Sequence, residues 1–185
     1  MLLALLAFVV VVSPGPTARS PASASSSVPA GYHTADQISS LLQQIASQYP
    51  TIASSQSIGP TWETTQGLAS RQMTALRICS GCAAGPRPAI VFFGGQEADE
   101  ISTSEVLLDF AQDLVSRWPT DPDVDYLLQS TTIWIVPLTN PDGHAKVEAG
   151  FSMWRKNTDS SHNQPGDASL TLPNGIGVDL NRNFG

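Results

Sequence analysis

Four short segments of this 185-residue chain concentrate the side chains able to do chemistry. Residues 94–100 read GGQEADE, with carboxylates at Glu97, Asp99 and Glu100. Residues 140–143 read NPDG. Arg155 and Lys156 stand together in MWRKN, and Asn181-Arg182-Asn183 follows Asp179. An arginine between two asparagines at a strand end is a good anion-binding arrangement, because a guanidinium is a rigid fork of donors. Its plainer alternative is an Arg182–Asp179 ion pair. On residue type alone, Glu97 and Glu100 equally describe a solvated acidic loop, continued by Asp99 and Glu105. Arg155 with Lys156 equally describes a surface basic pair, and NPDG by itself makes a good turn. His33 precedes the first helical pattern, His144 follows NPDG, and His162 stands in a Ser/Asn/Gln-rich stretch. Each reads as a loop histidine.

The elements that must position these groups alternate. Thr34 followed by Gln37 fits a capping box, and Ile38, Leu41, Leu42, Ile45 and Tyr49 then share one helical face up to Pro50. Residues 73–79 alternate as a strand. Residues 89–93 form a continuous apolar run, the pattern of a strand buried on both faces. Ser102 with Glu105 is a second capping box, opening a helix whose Leu107, Phe110, Leu114 and Trp118 share a face. Residues 131–136 read as another buried strand, and residues 178–180 as a short one. Strand, helix and strand at these lengths predict an α/β fold, with helices flanking a mixed, largely parallel sheet. In such sheets, function gathers at the carboxyl ends of the strands. The polar segments fall there.

Composition narrows the function classes. The chain has 9 Lys+Arg against 16 Asp+Glu, a net charge of −7, which argues against nucleic-acid binding. With 41% hydrophobic residues it has the makings of a globular domain. Residues 2–12 are an unbroken apolar run and Ala22-Ser23-Ala24 is a small-x-small site, so residues 1–24 read as a signal peptide. An uncleaved anchor is the alternative. Residues 25–31 read as a flexible lead-in. Export implies a secreted or periplasmic location, no stable membrane span after cleavage, and oxidising conditions. Cys79 and Cys82 therefore read as a disulfide closing a small loop. A zinc ribbon would need a second Cys pair.

Taken in order, GGQEADEIS, TNPDGH, MWRKN and GVDLNRNFG resemble the zinc metallocarboxypeptidases of the carboxypeptidase A type. YHTADQISSLLQQIASQYP resembles the family's opening helix, so the likeness runs over residues 32–185. It implies a carboxypeptidase-like sheet flanked by helices, one zinc ion, and hydrolysis of C-terminal residues from a peptide or protein substrate. Glu97 and Glu100 fall on the family's metal-ligand pair, with Glu97 where the family has His. Arg155 falls on the arginine that polarises the scissile carbonyl, and Asn181 and Arg182 on the groups that bind the substrate's terminal carboxylate.

Two departures follow. The His is replaced, and the third ligand and general base lie past Gly185, so residues 32–185 read as the N-terminal part of a catalytic domain, truncated at its C-terminus. A second carboxylate adds negative charge, weakens the metal as a Lewis acid, and favours harder ions. Glu97→His is thus expected to raise zinc affinity and activity. The alternatives are a pseudo-peptidase that keeps the carboxylate clamp without the metal, and a non-functional fragment. The chain alone is expected to be poorly soluble and inactive, since missing strands would leave a sheet edge open.

Overall fold

The structure is a computed structural model and describes residues 28–82, 85, 87–161, 163 and 175–184. The signal-peptide reading of residues 1–24, residues 25–27 of the lead-in and His162 lie outside those residues.

Helix α1 (Ala35–Gln48) starts where its sequence says it should. Thr34 accepts from the Gln37 backbone and the Gln37 side chain accepts from Thr34 N–H, so the capping box forms. Ile38, Leu42 and Ile45 are buried, with Leu41 and Tyr49 packed at the margin. Strand β1 (Ala53–Pro60) and the one-turn helix α2 (Trp62–Thr65) precede β2 (Gln72–Ile78). Strand β3 (Ala89–Phe93), helix α3 (Ser102–Arg117), helix α4 (Pro122–Ser130), strand β4 (Thr132–Val136) and helix α5 (Pro141–Glu148) follow.

The sheet order is β1-β2-β4-β3. β1 and β2 pair antiparallel, as do β2 and β4, whereas β3 and β4 run parallel. The sheet is mixed and helix-flanked, with its parallel pairing confined to the β3–β4 side among the described residues. Leu76, Ile78, Ile133 and Ile135 on the sheet meet Leu42, Leu108, Ala111 and Val115 in one core.

Four local expectations need correction. Among the described residues β3 is not buried on both faces: it lies at the edge of the sheet, and Ile90, Val91 and Phe93 are exposed. The apolar run marks the strand but cannot say which neighbours cover it. Helix α3 has no side-chain cap, because the chain is already helical at Ile101. Glu105 instead accepts from His33 N–H at 2.8 Å and faces its Nδ1 at 2.7 Å, tying α3 to the start of α1. The α3 face is also turned: Leu108, Ala111, Leu114 and Val115 are buried, while Leu107, Phe110 and Trp118 flank them. Residues 180–182 form a single 3-10 turn where a short strand was expected.

Cys79 and Cys82 are joined by a disulfide across a Cα–Cα distance of 5.5 Å. Arg87 Nη1 donates to the Ser80 carbonyl at 2.8 Å and so fixes the same loop.

Candidate functional site

The strand order brings the polar loops together. β3 and β4 are parallel neighbours, so residues 94–100 and 137–143 leave the sheet side by side. Backbone bonds continue the ladder beyond the strands: Gly94 N–H to Val136 O at 2.9 Å, Thr139 N–H to Gly94 O at 3.0 Å, and Asn140 N–H to Gly95 O at 3.0 Å. Gly95 has φ +57, and a Cβ there would lie 2.6 Å from Leu138, so this close approach requires glycine.

NPDG is not a free turn. Asn140 caps α5 by accepting from Gly143 N–H at 3.0 Å, and its Nδ2 donates to Gln96 O at 3.1 Å. Asp142 is 3% exposed. It accepts from Arg71 Nε at 2.9 Å and from Glu63 N–H at 2.8 Å, which joins α5 to α2 and the start of β2. Asp142→Ala leaves Arg71 without its buried partner. The expected cost is about 3 kcal/mol, a fall of roughly 6–12 °C in Tm for a chain this size. A thermal melt checks it; an unchanged Tm contradicts it.

The segment after α5 folds back over these loops. Trp154 is buried against Ala98 and Val147, and its Nε1 donates to Lys156 O at 2.7 Å. Ala98 N–H donates to Arg155 O at 3.0 Å. Trp154 is therefore packing that aims Arg155 at residue 97. Residues 175–184 are held by Asn157, whose N–H donates to Val178 O at 3.0 Å and whose Oδ1 accepts from Val178 N–H at 2.8 Å.

Four of the candidate residues converge, and Asp179 joins them. Glu97 is 6% exposed. Arg155 grips it with Nη1 on Oε2 and Nη2 on Oε1, a two-pronged charge-assisted pair. Asn181 Nδ2 adds a third bond to Oε1 at 2.8 Å, and Arg182 Nη1 lies 3.9 Å from the same oxygen. Arg155 Nε donates to Asp179 Oδ2 at 2.8 Å. Arg155 is thus no surface partner of Lys156; it bridges two buried-side carboxylates. Asp179 has Arg155 as its close ion-pair partner, and its Oδ1 accepts from Asn181 N–H at 3.1 Å. Glu100 is exposed at the rim. The Glu97 carboxylate beside it, by hydrogen bond and by like charge, raises the Glu100 pKa, with Arg155 partly offsetting this.

Sequence reasoning missed Asp179 and Asn140 as parts of this cluster. The available signal for Asp179 was its position two residues before Asn181, the spacing of an Asx cap on a tight turn. His33 and His144 stand elsewhere. His144 is 1% exposed on α5, and its Nε2 lies 3.1 Å from the His33 carbonyl oxygen. It is a buried helical residue, not a loop histidine, and it does not approach Glu97 or Glu100 in any described contact.

Burial pushes the Asp179 carboxyl up, but the hydrogen bond and charge of Arg155 outweigh it, so its pKa is lowered. A lowered carboxylate stabilises the fold above its unfolded pKa, and that contribution is lost as pH falls through the folded value. Acid unfolding of the native chain should therefore include the loss of the 155–179 tie below the ordinary Asp value of 3.8. Asp179→Asn is expected to flatten stability against pH in that range, as read by urea melts across an acid series. An unaltered acid limb contradicts it.

The donor set does not suit zinc. Glu97 already accepts three hydrogen bonds, close to the four sites a carboxylate offers. Zinc prefers nitrogen and sulfur donors with at most one or two carboxylates, in a tetrahedral set of at least three protein ligands. No group of three His, Cys, Asp or Glu able to hold a metal ion occurs among the described residues. No helix among them is long and apolar enough to cross a membrane.

Comparison with known proteins agrees with the motif order. The family model for zinc carboxypeptidase matches residues 38–185. Carboxypeptidase A2 of Rattus norvegicus is 31% identical over 153 residues, covering 83% of this chain and 32% of the relative. The zinc carboxypeptidase of Saccharothrix mutabilis subsp. capreolus is 27% identical over 158 residues, with 84% and 32% covered. Among solved structures, the carboxypeptidase A of Helicoverpa armigera superposes with a TM-score of 0.68 at 26% identity, covering 83% of this chain and 34% of that one. The chain thus spans about a third of the length of the curated relatives it matches.

Proposed function

This chain belongs to the zinc carboxypeptidase family, and from that footing we propose that it is the N-terminal part of an exported metallocarboxypeptidase acting on the C-termini of peptides or proteins. The observation that carries the reading is the convergence of Arg155, Asn181 and Arg182 at the carboxyl ends of β3 and β4. They come from two segments separated in sequence, yet Arg155 and Asn181 donate to a single carboxylate, that of Glu97, with the Arg182 guanidinium 3.9 Å from it. A carboxylate held by a guanidinium fork and an amide is the recognition that a free peptide C-terminus requires.

Within this reading the chain's own residues bind and orient. Arg182 is the guanidinium turned to solvent, with a side chain 67% exposed. It would meet an incoming carboxylate first. Asn181 and Arg155 stand behind it, and Asp179 and Trp154 fix the arginine that any bound carboxylate would reach. Hydrolysis of the terminal peptide bond is the reaction proposed for the whole protein. Among the described residues no group of three His, Cys, Asp or Glu is placed to hold the metal.

A second reading has a specific observation in its favour. Glu97 stands where the family resemblance places a His, and it is engaged by Arg155. That favours a pseudo-peptidase, which binds C-termini without cutting them. Mass spectrometry of a peptide incubated with the protein distinguishes the two. Stepwise loss of C-terminal residues supports the peptidase. An intact peptide that still binds selects the pseudo-peptidase, and an intact peptide that does not bind overturns both.

A further inference from the structure

Glu97 offers an anion, and Arg155 and Asn181 take it. Both carboxylate oxygens are used, at 6% exposure, by Arg155 and Asn181. Arg155 and the more distant Arg182 face Glu97 and Asp179, with the exposed Glu100 carboxylate beside Glu97. A dication brought to Glu97 would have to displace the two-pronged guanidinium, and Arg155, still tied to Asp179, would remain a like charge close by. A histidine at this position, when neutral, could not make the same pair, because it has no second acceptor to match the guanidinium fork. The exchange of His for Glu therefore changes what the position does, not only how well it does it.

We infer that Glu97 is an internal occupant of the anion site formed by Arg155 and Asn181, and not a metal ligand. It stitches residues 94–100 to residues 155 and 179–182 without a metal. It also competes with any carboxylate that approaches Arg155 from outside, leaving Arg182 as the outward guanidinium. The competition rests on the peptide reading given above; the absence of a metal-ligand role does not.

The test is calorimetric titration of the full-length chain and of Glu97→Gln and Glu97→His with zinc chloride, then with hippuryl-phenylalanine and its C-terminal amide. The native chain should take up no stoichiometric zinc tighter than about 10 μM, and its Tm should not move with a chelator. Glu97→His should gain zinc affinity by about tenfold or more. Glu97→Gln should bind the free acid about tenfold more tightly than the native chain, with the amide unchanged, because a neutral side chain removes the charged partner of Arg155 Nη1 and Nη2. One-to-one zinc uptake by the native chain that is lost in Glu97→Gln overturns the inference, and that arm begins from native protein alone. Equal acid affinity in native and Glu97→Gln protein overturns the competition. If neither protein prefers acid to amide, the peptide reading fails while the zinc arm still decides the role of Glu97.

Discussion

Arg155→Ala is expected to lower Tm by roughly 6–12 °C, as large a loss as that of Asp142→Ala. The substitution leaves the Glu97 carboxylate 6% exposed with only Asn181 as a close donor, and it strips Asp179 of its ion pair. Breaking one side of a buried ion pair costs about 3–5 kcal/mol, and the lower end applies because the Arg155 side chain keeps 30% of its exposure. Much of that cost is a stranded charge. Adding Glu97→Gln to the Arg155→Ala protein should therefore recover a third to a half of the lost Tm, with Asp179 still unpaired. Urea or thermal melts of the four proteins in the cycle measure this. Additive losses would mean that Arg155 acts by packing, not through Glu97.

Gly177→Ala should disable the cluster while sparing the core. Gly177 has φ +94, and a Cβ there would stand 1.9 Å from the Asn157 carbonyl oxygen. The left-handed conformation alone costs a residue with a Cβ about 1–3 kcal/mol, and the collision with backbone adds to it. The easiest relief is to release residues 175–184. The bonds between Asn157 and Val178 then break, and Asp179, Asn181 and Arg182 leave Glu97 and Arg155. Amide exchange should quicken at Val178 and Asn157 by more than tenfold, while β2 and β4 stay protected. Equal protection in both proteins would contradict this role for Gly177.

Much of the fold was readable where chemistry is local. The Thr34–Gln37 box marks the start of α1 because both partners lie within one turn. The run 131–136 marks β4 because a central strand is covered on both faces. The same kind of run misleads at 89–93, since an edge strand differs from a central one only in neighbours far along the chain. Asn140 and Asp142 illustrate the opposite case. NPDG looks like a turn locally, yet Asn140 caps α5 and Asp142 holds Arg71, a residue 71 positions away.

The candidate residues were legible as types and order, but not as partners. Glu97, Arg155, Asn181 and Arg182 come together because β3 and β4 are parallel and because Asn157 folds the last segment back. Nothing in residue spacing says that Arg155 grips Glu97 and Asp179 at once. That pairing turns on a carboxylate standing at position 97, and only the geometry reveals that the guanidinium takes it.

The most direct test of the account is titration of the full-length chain with one peptide in two forms, free acid and C-terminal amide, alongside Arg182→Ala. The native chain is expected to prefer the acid by about tenfold, the worth of one charge-assisted contact, and Arg182→Ala to abolish the preference. Equal binding of acid and amide by the native chain would contradict it.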